Sequence, residues 1–230
     1  MYPRAHWYLL ALLMLTALAF WPGYLTKLQQ SPPITHFHGI TATLWMLLLI
    51  GQAWFAARRR FALHRALGRA SYVVAPLFVI GGLGVVHRIL ASEREFFLEF
   101  GRSLGLMDTL ATLYFAAAVG LAIHYRQQVE LHARLMLSTA ILLFPAVFSR
   151  FVPNYLAGNI GFLTVMDISF VAAELAAIAL VLDDRRRGGI RAPYVGVLVL
   201  TLVQHASFRP ARTNPLWGSF AEWYSSLPLT

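Results

Sequence analysis

The chain has 230 residues, 58% of them hydrophobic and only 13% charged, with a formal net charge of +9. A soluble domain carries about 25% charged residues, so the composition excludes an ordinary soluble protein and marks an integral membrane protein. Cysteine is absent, which excludes disulfides, covalently attached haem c, iron–sulfur clusters and thiolate metal sites; the charge is nearly all arginine and reads as helix-end charge, with no nucleic-acid partner.

Seven apolar runs approach the ~20 residues that a spanning helix needs. In chain order they are Trp7–Leu25, His38–Ala57, Ala70–Ile89, Gly105–His124, Leu131–Phe151, Leu163–Leu182 and Arg191–Phe208, the last being the shortest. The first run resembles a signal peptide in its short basic start and the small residues at 17–19, but it is expected to be retained as a span. The WPGY stretch at 21–24 after it reads as an aromatic anchor and helix stop. Lys27 is the single lysine, so the last run has no Schiff-base residue and seven helices do not imply retinal.

The connecting segments divide by charge. RRRFALHRALGR (58–69), YRQQVELHAR (125–134) and DDRRRGGIR (183–191) are basic, whereas the alternate segments are neutral or acidic. Cytoplasmic loops are enriched in Lys and Arg. The expected fold is therefore an all-α seven-transmembrane bundle with a cytoplasmic N-terminus and an outer C-terminus. It is read as one domain, with core helices over about 36–151, two further helices over about 163–208 and an aromatic interfacial tail at 209–230.

At ~1.5 Å of rise per residue, each polar side chain falls at a definite depth. His36, His38, His87 and His205 lie toward the outer surface, together with Asp108, Arg150 and Asp167. His64, His124 and His132 lie toward the inner surface, and Gln52 in the inner part of the second run. Glu174, seven residues after Asp167, shares its helix face. Seven of the eight histidines thus form two layers. Imidazole is the usual ligand for haem iron, zinc or copper where cysteine is missing, and two layers suit a two-haem conduit with arginines near the propionates. The plain alternative for His64, His124 and His132 is interfacial hydration, and for Asp167 an ion pair with Arg150. His36 and His38 diverge by about 200° if one helix contains both, and converge if the helix starts at His38.

Three resemblances follow from these residues. The series H-x-H at 36–38, Trp45, Gln52, HRALGRASY at 64–72, HARLM at 132–136 and FPAVFSR at 144–150 resembles a family of uncharacterised bacterial multi-pass membrane proteins. That resemblance covers about half the chain, implies a bacterial inner-membrane location, and marks His36, His38, Gln52, His64, Arg65, His132, Arg134 and Arg150 as a functional core. A looser similarity is to cytochrome b561, whose four-helix core pairs haem-ligating histidines at both faces. The third is to seven-helix zinc hydrolases of the ceramidase and progestin-receptor type, which implies a set drawn from His36, His38, His87 and His205 with Asp108 or Asp167; their last helix carries a histidine pair where this chain has His205 alone.

These readings leave three functions open. The first is a haem b redox protein exchanging electrons with a quinone or external partner, with His38, His87, His64, His124, His132 and Arg150 at the haem. The second is a membrane enzyme using zinc, copper or iron on His36, His38, His87 and His205, with Asp108, Asp167 and Glu174 as catalytic carboxylates, acting on a lipid-like substrate at the outer surface. The third is a non-catalytic subunit of a membrane complex, or a small transporter in which Asp167 and Glu174 carry protons.

Overall fold

The computed structural model describes residues 2–189 and 191–229. All regular structure among them is helical: α1 (Ala5–Phe20), α2 (Pro33–Ala57), α3 (Phe61–Gly68), α4 (Ser71–Leu90), α5 (Glu95–His124), α6 (Val129–Ile141), α7 (Leu143–Phe151), α8 (Phe162–Arg186), α9 (Ala192–Phe208) and α10 (Pro215–Ser225). Five helical segments are long and apolar enough to cross a membrane: α2, α4, α5, α6 with α7 as one bent span, and α8. The other two expected spans, α1 and α9, are apolar but have 16 and 17 residues, about 24–26 Å against a hydrocarbon core of about 30 Å.

The bounds move where local chemistry dictates. α1 stops at Phe20, five residues before the expected end, because Pro22 and Gly23 break the helix. α2 starts at Pro33, a residue whose fixed φ suits the first helical turn. α5 starts ten residues earlier than its apolar run, since Glu95 in the first turn complements the helix dipole and charged turns continue the helix beyond the apolar stretch. Two segments read as loop or tail are helices, α3 in the basic 58–69 segment and α10 at the C-terminus. The fifth run is bent: α6 ends at Ile141, the residue whose carbonyl Pro145 cannot serve as a donor.

Packing closes a ring. Each helix touches the next in the order α1, α2, α4, α5, α9, α8, α7 and back to α1. Because of the bend, α6 and α7 occupy different places. α6 fills the interior against α5, α8, α9 and α2, whereas α7 swings out between α1 and α8. Trp45, Met46, Leu49, Phe115, Val119 and Ala140 pack the middle of the bundle. A polar tie locks this layer, the Trp45 indole N–H donating to Thr139 Oγ1 at 3.1 Å.

The basic segments gather at one end with residue 2. Tyr2 donates to Asp184, Arg134 binds the same carboxylate, and Arg191 meets Glu130. The opposite end, here called the His38 end, carries the tail. α10 lies across α4 and α5, with the Trp217 indole donating to the Arg102 carbonyl, Arg102 paired with Glu222, and Tyr224 donating to the Leu83 carbonyl.

Candidate functional site

α2 contains both His36 and His38, so their side chains diverge. His36 Nδ1 turns back to the Tyr24 hydroxyl at 2.8 Å. His38 turns inward to α4, its ring 5.0 Å from that of Phe78. Two glycines permit this approach. A Cβ at Gly81 would stand 3.1 Å from His38 Cα, and one at Gly82 would stand 2.8 Å from Thr112 Oγ1 and 3.8 Å from His38 Cε1. His38 and Thr112 therefore converge on the same spot of α4. His38 Nδ1 is shielded from solvent and has no hydrogen-bond partner among the described residues.

Asp108 lies one turn before Thr112 on α5, on the same face. It makes no hydrogen bond among the described residues, and the one charge acting on it is Arg150. Arg150 comes from α7, the half-helix that the Pro145 bend carries outward. Its Nη1 donates only within its own helix, to the Ala146 carbonyl at 2.8 Å and Ser149 Oγ at 3.4 Å, and its guanidinium lies 4.4 Å over the Phe20 ring of α1. The expected Asp167–Arg150 pair is not formed: Arg209 takes Asp167 in a two-point bond of 2.7 and 2.6 Å. Behind His38, a sequence of aromatic contacts runs into the core, Phe78 to Phe115 at 4.3 Å and Phe115 to Trp45 at 4.8 Å.

The other expected ligands are dispersed. His87 is buried, its Nε2 bonded to the Leu227 carbonyl at 2.8 Å and its ring met edge-on by Tyr224; it anchors the tail. His205 lies between Glu174 and Asp167. The set His36, His38, His87 and His205 thus occupies four separate environments, and among the described residues no three His, Asp or Glu side chains are grouped to hold a metal ion. The outer histidine layer is a level along the sequence rather than a cluster.

At the basic end, two of the three inner histidines meet. The His64 and His132 rings are 6.3 Å apart. His64 Nδ1 bonds the Gln52 carbonyl at 3.2 Å, and the Gln52 amide returns a bond to the His64 carbonyl at 2.9 Å. His132 Nδ1 bonds the Ala122 carbonyl at 2.8 Å. Each imidazole therefore donates from Nδ1 and keeps Nε2 as the acceptor. His124 is exposed and packs on Tyr125 instead.

Reading the sequence alone does not single out Thr112 or Arg209. The available signals are spacings, Thr112 four residues after Asp108 and Arg209 four after His205, each the repeat of one helix face.

No protein-family model, no curated protein and no solved structure is significantly similar to the chain.

Proposed function

We propose that the chain is a seven-span protein of a bacterial inner membrane, with its basic end cytoplasmic, that binds a lipid-like ligand or substrate through His38, Asp108 and Arg150 near the outer surface. The observation supporting this reading is that three polar groups on three helices keep bonding capacity to spare among the described residues. His38 Nδ1 has no partner among the described residues, Asp108 has no hydrogen bond there, and Arg150 uses Nη1 alone, on its own helix. Unsatisfied polar groups in hydrocarbon cost several kcal/mol each, and ionisable ones at that depth mark functional sites. Arg150 suits an acidic headgroup, because guanidinium forms two-point bonds with carboxylate or phosphate. His38 and Asp108 suit donation and acceptance of a headgroup proton.

The test is binding of a fluorescent fatty acid to the purified protein in nanodiscs. A charge-assisted hydrogen bond contributes about 1.5–3 kcal/mol, so Arg150→Ala is expected to weaken binding about tenfold or more. His38→Ala should weaken it too, and equal binding by all three proteins would overturn the proposal.

A second reading, electron transfer through haem b or a metal ion, draws on His64 and His132. Metal-bound histidines commonly donate their other ring N–H to a carbonyl, as both do here. An absorption spectrum of the purified protein, oxidised and then dithionite-reduced, decides it: a Soret band that shifts on reduction and is lost in His132→Ala supports haem, and elemental analysis tests the metal. Neither haem nor metal in the purified protein would reject it.

A further inference from the structure

The α8–α9 seam holds a second polar cluster that shares no residue with the His38 site. His205 of α9 lies flat on Phe170 of α8, ring centroids 5.2 Å apart and nearly parallel. This stacking fixes the plane of the imidazole, so each ring nitrogen has one direction. Nδ1 faces Glu174 Oε1 at 2.9 Å, and Nε2 faces Asp167 Oδ1 at 3.4 Å. Arg209 closes the outer end by clasping Asp167. The line runs from the end of α9 to Glu174, twelve residues beyond Phe162 at the start of α8, about 18 Å along the helix.

The geometry contains a proton count. A neutral imidazole has one N–H and one bare nitrogen. Two carboxylates facing the two nitrogens leave one line with lone pairs opposed unless a further proton is present, on the ring or on a carboxyl. With that proton, the cluster of Asp167, Glu174, His205 and Arg209 is electrically neutral. Without it, the cluster carries a net negative charge within the apolar span, which is costly.

We propose that Asp167, His205 and Glu174 form a proton-binding site that holds one exchangeable proton and conveys it between the His38 end and the middle of α8. In the conveying step, the doubly protonated His205 ring releases its Nδ1 proton to Glu174 and keeps its Nε2 proton toward Asp167, which stays ionised in the clasp of Arg209, so one proton passes from the ring to Glu174. Among the described residues, no charged group on another element pairs with the cluster. On α5, Asp108 is acted on by Arg150 of α7. Past α9, Arg212 meets Glu99 at 3.3 Å. On α6, Arg134 is bound to Asp184 at the other end of the bundle. Gln204 beside His205 donates to the Met107 carbonyl at 2.8 Å, which holds α9 against α5 and keeps the seam in register.

The experiment is nitrogen NMR of the full chain in nanodiscs with labelled histidine, the His205 signals being assigned by their loss in His205→Gln. At neutral pH the expected result is an extra proton on the triad, seen as protons on both His205 ring nitrogens or as a carboxylic-acid infrared band. Glu174→Gln and Asp167→Asn should each remove that extra proton, leaving a single N–H directed at the remaining carboxylate. Unchanged His64 and His132 signals confirm that the variants fold. A bare ring nitrogen in the wild-type protein together with no carboxylic-acid band would overturn the proposal, as would His205 signals unmoved by both substitutions. A readout from vesicles tests conveyance: an imposed potential should drive internal acidification that Glu174→Gln abolishes, and equal rates in both proteins would reject that part.

Discussion

Two residues carry most of the electrostatic consequence. Asp184 is fully buried, and Arg134 binds its two oxygens at 2.8 and 2.9 Å with Tyr2 as a second partner at 3.0 Å. Removing one member of a buried pair leaves the other charge uncompensated, at a cost of about 3–5 kcal/mol. Arg134→Met is therefore expected to lower the unfolding temperature strongly in detergent, whereas Arg134→Met with Asp184→Leu should recover most of the loss. His64, at the same end, is half-buried. Burial pushes its imidazole below the ordinary histidine value; the bond to the Gln52 carbonyl opposes this, and the neighbouring His132 and Arg65 charges add to it. The folded state thus favours neutral His64 while the unfolded chain binds the proton. Stability from this group is complete above the ordinary value of about 6.5 and is lost as pH falls through the lowered one. Thermal unfolding measured against pH should show a fall on the acid side that His64→Gln reduces. The residue identities were legible in the sequence. Their partners were not: nothing local tells His36 to turn to Tyr24, or Asp167 to choose Arg209 over Arg150, because these choices depend on which helices become neighbours.

Among the elements, the bend between α6 and α7 matters most. An unbroken fifth helix would stay in the middle of the bundle along its length; the missing Pro145 N–H lets α7 leave and carries Arg150 to the α1 side. Pro145→Ala restores a donor for the Ile141 carbonyl. The expected outcome is a straighter helix, read as a changed spin-label distance between α7 and α2, with weaker fatty-acid binding; unchanged distance and affinity would show that packing on α1 and α8 positions α7 by itself. The α2–α4 contact depends on glycine for a different reason. A Cβ at Gly81 would meet the Phe37 ring and the His38 Cα, and the latter belongs to backbone and cannot rotate away. Gly81→Ala should wedge the helices apart at a cost of about 1–3 kcal/mol and disturb His38. Gly84→Ala should be milder, since it meets only the end of the Ile34 side chain. Small residues allow helices to approach closely, but the sequence does not say which neighbour yields.

For the whole molecule, the two ends differ in charge and in covering. The basic segments meet at one end, and α10 lies over α4 and α5 at the other. A cysteine-free chain makes the orientation directly measurable. Single cysteines placed at Arg69 and at Ser219 should react with an impermeant maleimide from opposite sides of the membrane, with Ser219→Cys labelled from outside. Labelling of both from one side would refute opposite-end placement. Truncation after Arg209 should raise hydrogen exchange across residues 83–90, because His87 and the Leu83 carbonyl lose their partners in the tail.

The sequence by itself determined that the chain is helical and which runs are long and apolar enough to cross a membrane, since composition and the 1.5 Å rise are properties of the chain alone. The bend at Pro145 is local geometry although the fifth run reads as one unbroken span, and the divergence of His36 and His38 follows once α2 is seen to contain both. Only the tertiary structure decided that His87 anchors the tail, that His38 and Thr112 converge on Gly82, and that His205 lies between two carboxylates. The physical reason is that helix order around a ring is set by packing of apolar faces summed over many residues. A single polar side chain contributes little to that choice, yet its partner is entirely determined by it.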